Sequence, residues 1–500
     1  MTNISAVDYA DVQGIIRFGY ARLTEASFLL LRIRDAAAAR AWLATAPIST
    51  AVALTQAPAT ALQIAFTREG LEALKIADEV MAGFSAEFLS GMAGDDNRSR
   101  RLGDVGTNSP ESWKWGGPGY VPHLVVMLYA QEGRLDSWAQ TVKASDWDTA
   151  FEVLDSLPTS NLDGIEPFGF TDGISQPTID WKREREIHGD QLEYGNVVAL
   201  GEFLLGYPNE YGKYTDRPLL DETDAASSIL PEAEDVPEKR DLGRNGSYLV
   251  FRQLQQDVSG FWRFINQQAQ SNPQERQKLA ASMVGRTQEG TPLVPICDAP
   301  IPGVNTREAP MNQFTYDADQ SGARCAFGAH VRRANPRNAD LPRGSNGLIS
   351  RLLRTLGFGT KGYRDDVIAS TRFHRLLRRG REYGPGLSPE DAIEMTGPDT
   401  SQHGIHFVCL NANISRQFEF LQGSWLMSTK FDGLTEESDS LLGNRQSISG
   451  CLRTDTFSLA GATGVRGRMV GLPQFVTVRG GAYFFLPGIR ALKYLAADRG

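Results

Sequence analysis

Two stretches of this chain carry the same pattern of polar and apolar positions. Ser27-Phe28-Leu29-Leu30-Leu31-Arg32 and Ser247-Tyr248-Leu249-Val250-Phe251-Arg252 each set four apolar residues between a serine and an arginine. At the same offset Trp42 matches Trp262, and each apolar run leads into a helix-like segment, Ala36 to Leu43 and Val258 to Gln270. A second pair follows, His123-Leu124-Val125-Val126-Met127-Leu128 and His406-Phe407-Val408-Cys409-Leu410. Short apolar runs bounded by turn residues read as strands. Their recurrence predicts a duplicated unit, strand, helix, further strands and helices, then a last strand. That order implies an α+β fold with helices on one face of an antiparallel sheet, economically a ferredoxin-like unit in each half. The join falls in Asp221 to Lys239, where turn formers interrupt the apolar pattern, so the halves are 1–220 and 240–500. Ser415 to Leu426 predicts a helix capped by Ser415, with Phe418, Leu421 and Trp425 on one face as ordinary core. Trp181 to Arg185 is a charge run that reads as a solvated face.

Composition changes this picture little. The 500 residues are 41% hydrophobic and 22% charged, ordinary for a globular chain, with a formal charge of −9. An acidic balance argues against a nucleic-acid partner, which needs a basic face. Apolar runs such as Leu124 to Leu128 fall far short of the ~20 residues a membrane span needs. The first residues show neither a basic region nor an apolar core of a leader, so the expected setting is cytoplasmic, and no membrane partner is expected. Cys297, Cys325, Cys409 and Cys451 form no Cys-x-x-Cys pair and are expected as reduced core thiols.

Three elements carry candidate chemistry. Gly169-Phe170-Thr171-Asp172-Gly173 sets one carboxylate between glycines, which permit a tight turn and close approach of a bulky flat group. By itself such an Asp is a turn former. Of six histidines, His330 in Gly328-Ala329-His330 is the candidate ligand for a haem iron, since small neighbours would let a macrocycle approach. Arg332, Arg333 and Arg337 follow it and would meet haem propionates. Leu376-Leu377-Arg378-Arg379-Gly380 supplies a later basic pair. The three gain force together.

Together they resemble a known family, the dye-decolorizing peroxidases. The family's Gly-x-x-Asp-Gly signature is matched by Gly169 to Gly173, with Gly164-Ile165-Glu166-Pro167 before it and Ile174-Ser175-Gln176-Pro177 after. Its proximal-histidine segment is matched by Cys325 to Arg337 and its distal-arginine segment by Arg378 to Gly384. The resemblance extends through Asp241 to Tyr248 and Gln417 to Gln422, and so covers most of the chain. The chain departs at Ala326, at Arg381-Glu382 and in a long interval between His330 and Arg378, where Gly357 to Gly362 reads as an inserted loop. The resemblance implies a haem b peroxidase using hydrogen peroxide to oxidise dyes, phenols or similar small aromatic reductants. His330 would be the axial ligand, with haem held mainly by the second half. Asp172 and Arg378 would stand on the opposite face, and Arg379 is the alternative register. Glu419 is a candidate acceptor for the far N–H of His330. An acidic optimum is expected for an Asp proton shuttle. The rival readings are a chlorite dismutase-like or haem-modifying enzyme, and a non-catalytic haem carrier or sensor. A homo-oligomer is compatible with the sequence.

Overall fold

The computed structural model describes residues 6–143, 146–185, 194–222, 225–305, 307, 309–339, 370–395, 402–445, 454–459 and 467–497. The loop expected at Gly357 to Gly362, and also His188 and Cys451, lie outside them.

The first half contributes β1 (Glu25–Ile33), helix α1 (Ala36–Thr45), β2 (Thr60–Phe66), β3 (Leu124–Ala130) and β4 (Phe151–Pro158). Four short strands follow: β5 (Thr178–Asp180), β6 (Val197–Ala199), β7 (Leu219–Leu220) and β8 (Arg240–Asp241). The second half contributes β9 (Ser247–Gln256), β10 (Leu377–Arg378), β11 (Arg381–Tyr383), β12 (Gly404–Asn411), β13 (Thr456–Leu459), β14 (Gly467–Val470) and β15 (Val476–Leu486). One antiparallel sheet runs β10-β12-β9-β15-β2-β3-β1-β4, with β11 also paired to β12. Each half therefore has its last strand beside its first, its first beside its third and its third beside its second, the order of a ferredoxin-like unit. The two expected sheets are fused into one, through a contact between β15 and β2 at Phe485 and Phe66.

The repeat has a structural counterpart. Ser27–Arg32 lies in β1 and Ser247–Arg252 in β9, the first strand of each half. Trp42 and Trp262 are buried on the helices that follow. The second pair of runs lies on, or just before, the third strands β3 and β12.

Helices cover one face of the sheet, as expected, and the other face is buried as well. Leu29, Leu31 and Ile33 of β1 face a core shared with Trp42 of α1 and with Leu492 of the C-terminal helix. Phe28 and Leu30 face a second core built with Val12, Ile15, Phe203 and Leu204. A strand buried on both faces reads as a continuous apolar run rather than an alternating one, as in Phe28-Leu29-Leu30-Leu31. The second face is clothed by irregular chain, and each fully buried residue such as Phe28 contributes roughly 1.5–3 kcal/mol by leaving water.

The charge run at 181–185 is also not simply solvated. Lys182 and Glu184 are exposed, but Arg183 pairs with Glu234 and Arg185 with the fully buried Glu210. Alternate residues thus point in and out, and the inward arginines tie this run to the segment 194–245.

Candidate active site

A cavity of about 290 Å³ opens between the sheet of the second half and the helical segments that follow it. Its floor follows from strand alternation, which puts every second residue on one face. Register sets Phe407 beside Arg252, Ile405 beside Leu254, and Leu254 beside Val478. These residues, with Arg378 on the neighbouring strand β10, line the cavity. Consecutive residues of a strand point to opposite faces, which separates Arg378 from Arg379. Arg379 donates to the carbonyls of Ile15 and Ile16 on the other side. Arg378 points into the cavity and donates from Nη1 to Asp172 Oδ1 at 2.8 Å. Gln176 fixes its backbone from both sides, accepting from Arg378 N and donating to Arg378 O.

The loop bearing Asp172 needs its glycines. Gly169 has φ +93° and Gly173 φ +75°, in the left-handed region that favours glycine. Thr171 donates from both N and Oγ1 to Gln288 O, and Asp172 N donates to Gly164 O at 2.9 Å. Trp262 Nε1 donates to Phe168 O. Glu166 sits inside the turn: its Oε1 accepts from Phe170 N at 3.0 Å, and its Oε2 accepts from Phe168 N and Gln256 Nε2. Burial pushes the Asp172 carboxyl up, but Arg378 and the Gly173 N–H outweigh it and hold the carboxyl below its ordinary value of 3.8. Burial acts unopposed by any cation on Glu166, with Asp172 adding to it, and pushes that carboxyl up to about 7.

On the opposite side His330 opens the short helix His330–Ala334. Its Nδ1 lies 3.0 Å from Asp439 Oδ2. Asp439 Oδ1 accepts from Leu441 N and Leu442 N, so the carboxylate is fixed in place. An ionised carboxylate only accepts, so Nδ1 carries the hydrogen and Nε2 keeps its lone pair. Among the described residues Nε2 has no hydrogen-bond partner, and His330 lines the cavity. Burial favours the neutral ring, but the charge of Asp439 and its hydrogen bond outweigh this and raise the His330 pKa.

Several expectations need correction. Arg332 does not line the cavity. It lies two residues, about 200° around a helix, from His330, and its guanidinium is bound to Asp319 Oδ2, Asp319 O and Cys325 O. Arg333 is likewise spent on the carbonyls of Trp425, Ser428 and Glu437. Of the three arginines after His330 only Arg337 reaches the cavity wall, where Arg375 joins it. A Cβ at Gly328 would also meet Glu437 Oε1 and the ring of Phe457. Glu419 is not the acceptor for His330, since it takes Tyr483 Oη at 2.9 Å and pairs with Arg98. Nor does Ser415 cap its helix. Asn413 Oδ1 accepts from Arg416 N instead, and the segment is wound as the wide π-helical turns Ser415–Glu419 and Leu421–Leu426. Its stripe of Phe418, Leu421 and Trp425 is cavity wall rather than plain core.

Chemically the site offers three things. One wall presents a lone pair on a fixed imidazole, the other a carboxylate beside a permanent cation, and the space between is mostly apolar. A haem fits this donor set through Nε2 for iron; Arg337 and Arg375 add positive charge to the wall, although Arg337 donates to the carbonyls of Asn312 and Phe314 and Arg375 to Tyr194 and Asn196.

No family model matches the chain. It is 28% identical over 516 residues to the dye-decolorizing peroxidase msp1 of Mycetinis scorodonius, covering 98% of this chain and 88% of that protein. It is 28% identical to the dye-decolorizing peroxidase AauDyP1 of Auricularia auricula-judae, over 96% of this chain and 86% of the relative. A crystal structure of a fungal DyP-type peroxidase from Auricularia auricula-judae superposes with TM-score 0.72 and 28% identity, over 99% of this chain and all of that one. A dye-decolorizing peroxidase in complex with 2,6-dimethoxyphenol superposes with TM-score 0.71 and 25% identity, over 98% of this chain and all of that one.

Proposed function

We propose that this chain, which belongs to the dye-decolorizing peroxidase family, is a haem b peroxidase that reduces hydrogen peroxide and oxidises dyes and phenols. The observation that carries the reading is the pairing of Asp172 with Arg378 across one cavity from the open Nε2 of His330. When bound, haem supplies the redox chemistry, accepting two oxidising equivalents from peroxide and releasing them one electron at a time.

The residues supply the rest. His330 would hold the iron, with Asp439 fixing its ring orientation and raising its basicity. Asp172, held at Oδ1 by Arg378, would take a proton from one peroxide oxygen and return it to the other. Arg378 cannot lose its charge and steadies the negative charge that develops as the O–O bond breaks. The apolar floor of Phe407, Ile405 and Leu254 limits water. A cytoplasmic setting is part of the proposal, supported by the free thiols of Cys297, Cys325 and Cys409. So is the division into halves 1–220 and 240–500. Among the described residues no helix is long and apolar enough to cross a membrane. The test of the function is oxidation of 2,6-dimethoxyphenol by the haem-loaded protein, expected only when hydrogen peroxide is added.

Two further outcomes follow from the site. Asp439→Asn removes the charge that holds Nδ1–H, and haem affinity should fall about 10–100-fold in a titration of the apoprotein. The pH dependence follows from Asp172. Its depressed pKa keeps the carboxylate ionised, so the peroxide step should hold through weakly acid pH and fall only as pH drops below about 3.8. In Arg378→Leu the upward push of burial is no longer opposed by that cation, and the acid limb should move to higher pH. Rapid-mixing rates across pH read both, and an acid limb that stays put in Arg378→Leu would contradict the assignment.

A further inference from the structure

Three carboxylates line this cavity, Asp104, Glu166 and Asp172, and among the described residues only Glu166 lacks a cation, since Asp104 is paired with Arg252. Asp172 is paired with Arg378, whereas among the described residues no arginine, lysine or histidine pairs with Glu166. Glu166 has four acceptor positions, two on each oxygen. Oε2 uses both, on Phe168 N and Gln256 Nε2, and Oε1 uses one, on Phe170 N. One lone pair of Oε1 is left on a residue that lines the cavity.

We propose that Glu166 is a second proton-holding carboxylate of the active site, keeping on Oε1 a proton that it exchanges with Asp172, which lines the same cavity from the same loop. The proposal rests on the peroxidase reading and extends it. Two groups whose surroundings push them in opposite directions divide acid and base roles between them. Asp172 is the side kept ionised, and Glu166 is the side that keeps its proton up to about neutral pH. The neighbours of Glu166 leave it in that state. Asp172 on the same loop disfavours its ionisation. Gln256 from β9 and Gln288 from the loop beneath are neutral, as are Phe261 and Trp262 from the helix Val258–Gln268. Elsewhere on the cavity wall Arg252 is paired with Asp104, Arg378 with Asp172, and Arg286 is bound to the carbonyls of Gly290 and Met311.

The proton balance gives such a group a task. Hydrogen peroxide, two electrons and two protons give two waters. A phenol delivers a proton with each electron. A dye that gives up only an electron does not, so two protons per peroxide must come through the protein and be refilled from solvent. Glu166, being protonated below about pH 7, can pass one inward through Asp172 and be recharged from the cavity mouth.

The test is an infrared titration of the haem-loaded protein, reading the carbonyl stretch of a protonated carboxyl. Wild type minus Glu166→Gln should show that band below about pH 7 and lose it above. In Asp172→Asn the midpoint should shift downward, because the negative charge that helps hold the proton is gone. This second comparison needs no Glu166 variant to fold. With an electron-only dye, wild-type turnover should fall by up to about tenfold per pH unit above neutral. Glu166→Gln should be slower but lack that decline. No band in the wild type, a band unchanged in Asp172→Asn, or a loss in Glu166→Gln that is equal at every pH would overturn the proposal and leave Glu166 as a clamp on the turn. A band without any peroxide turnover would instead fault the peroxidase reading.

Discussion

Arg378→Leu should slow the reaction of the haem-loaded protein with hydrogen peroxide by about 100- to 1,000-fold, about 2.7–4 kcal/mol, with haem still bound. The size follows from three features. The guanidinium is permanently charged, it stands beside a cavity with an apolar floor where screening is weak, and it is held in place before peroxide arrives. Its Nη1 lies 2.8 Å from Asp172 Oδ1, and Gln176 grips its backbone. Leucine removes the charge and also lets the Asp172 carboxyl rise, so both partners fail together. Arg379→Leu is the control. Arg379 serves the carbonyls of Ile15 and Ile16 on the far face of the strand, so its loss should lower the melting temperature and leave the peroxide step near wild type. The change in haem absorbance after rapid mixing measures both. A larger defect in Arg379→Leu would reverse the assignment.

His330→Ala should weaken haem binding by about 100-fold or more, beyond the effect of changing the Asp439 partner. Among the described residues the outer nitrogen of the His330 ring is left open while its inner nitrogen is anchored, at 3.0 Å from Asp439. His374 also lines the cavity, but its Nδ1 contacts Arg416 O and burial pushes its pKa down to about 4. It is stacked flat on Phe420 with ring centres 3.7 Å apart, a packed ring rather than a ligand. Added imidazole should partly restore haem binding to His330→Ala, because Asp439 remains to orient it. Haem titration of the apoprotein, with and without imidazole, reads the result. Unchanged affinity in His330→Ala would mean that another residue holds the iron.

Much of this was legible in the chain, and the failures have physical causes. The repeated runs at Ser27 and Ser247 mark the first strand of each half because both are buried on two faces and so carry unbroken apolar residues. Gly169 and Gly173 announce the turn because its backbone lies where side chains are disfavoured. Asp439 was missed because it approaches His330 from 109 residues away, in Ser438-Asp439-Ser440, which has no pattern of its own. Glu419 stood in a motif and was the wrong acceptor, since position in a motif says nothing about which side of a helix a residue faces. Arg332 failed for the same reason, two residues around a helix from His330. Glu166 was in view as part of the segment before the turn, but only the closed hydrogen bonds around it, and the absence of a cation beside it among the described residues, give it a role.

The most direct test of the account is rapid mixing of the haem-loaded wild-type protein with one equivalent of hydrogen peroxide, followed by a phenol. The account predicts a change in the haem spectrum at a second-order rate of at least about 10⁴ per molar per second, and return of the original spectrum as two equivalents of phenol are oxidised. A bound haem whose spectrum does not respond to peroxide, or only bleaches, would contradict it and leave a haem carrier as the better description.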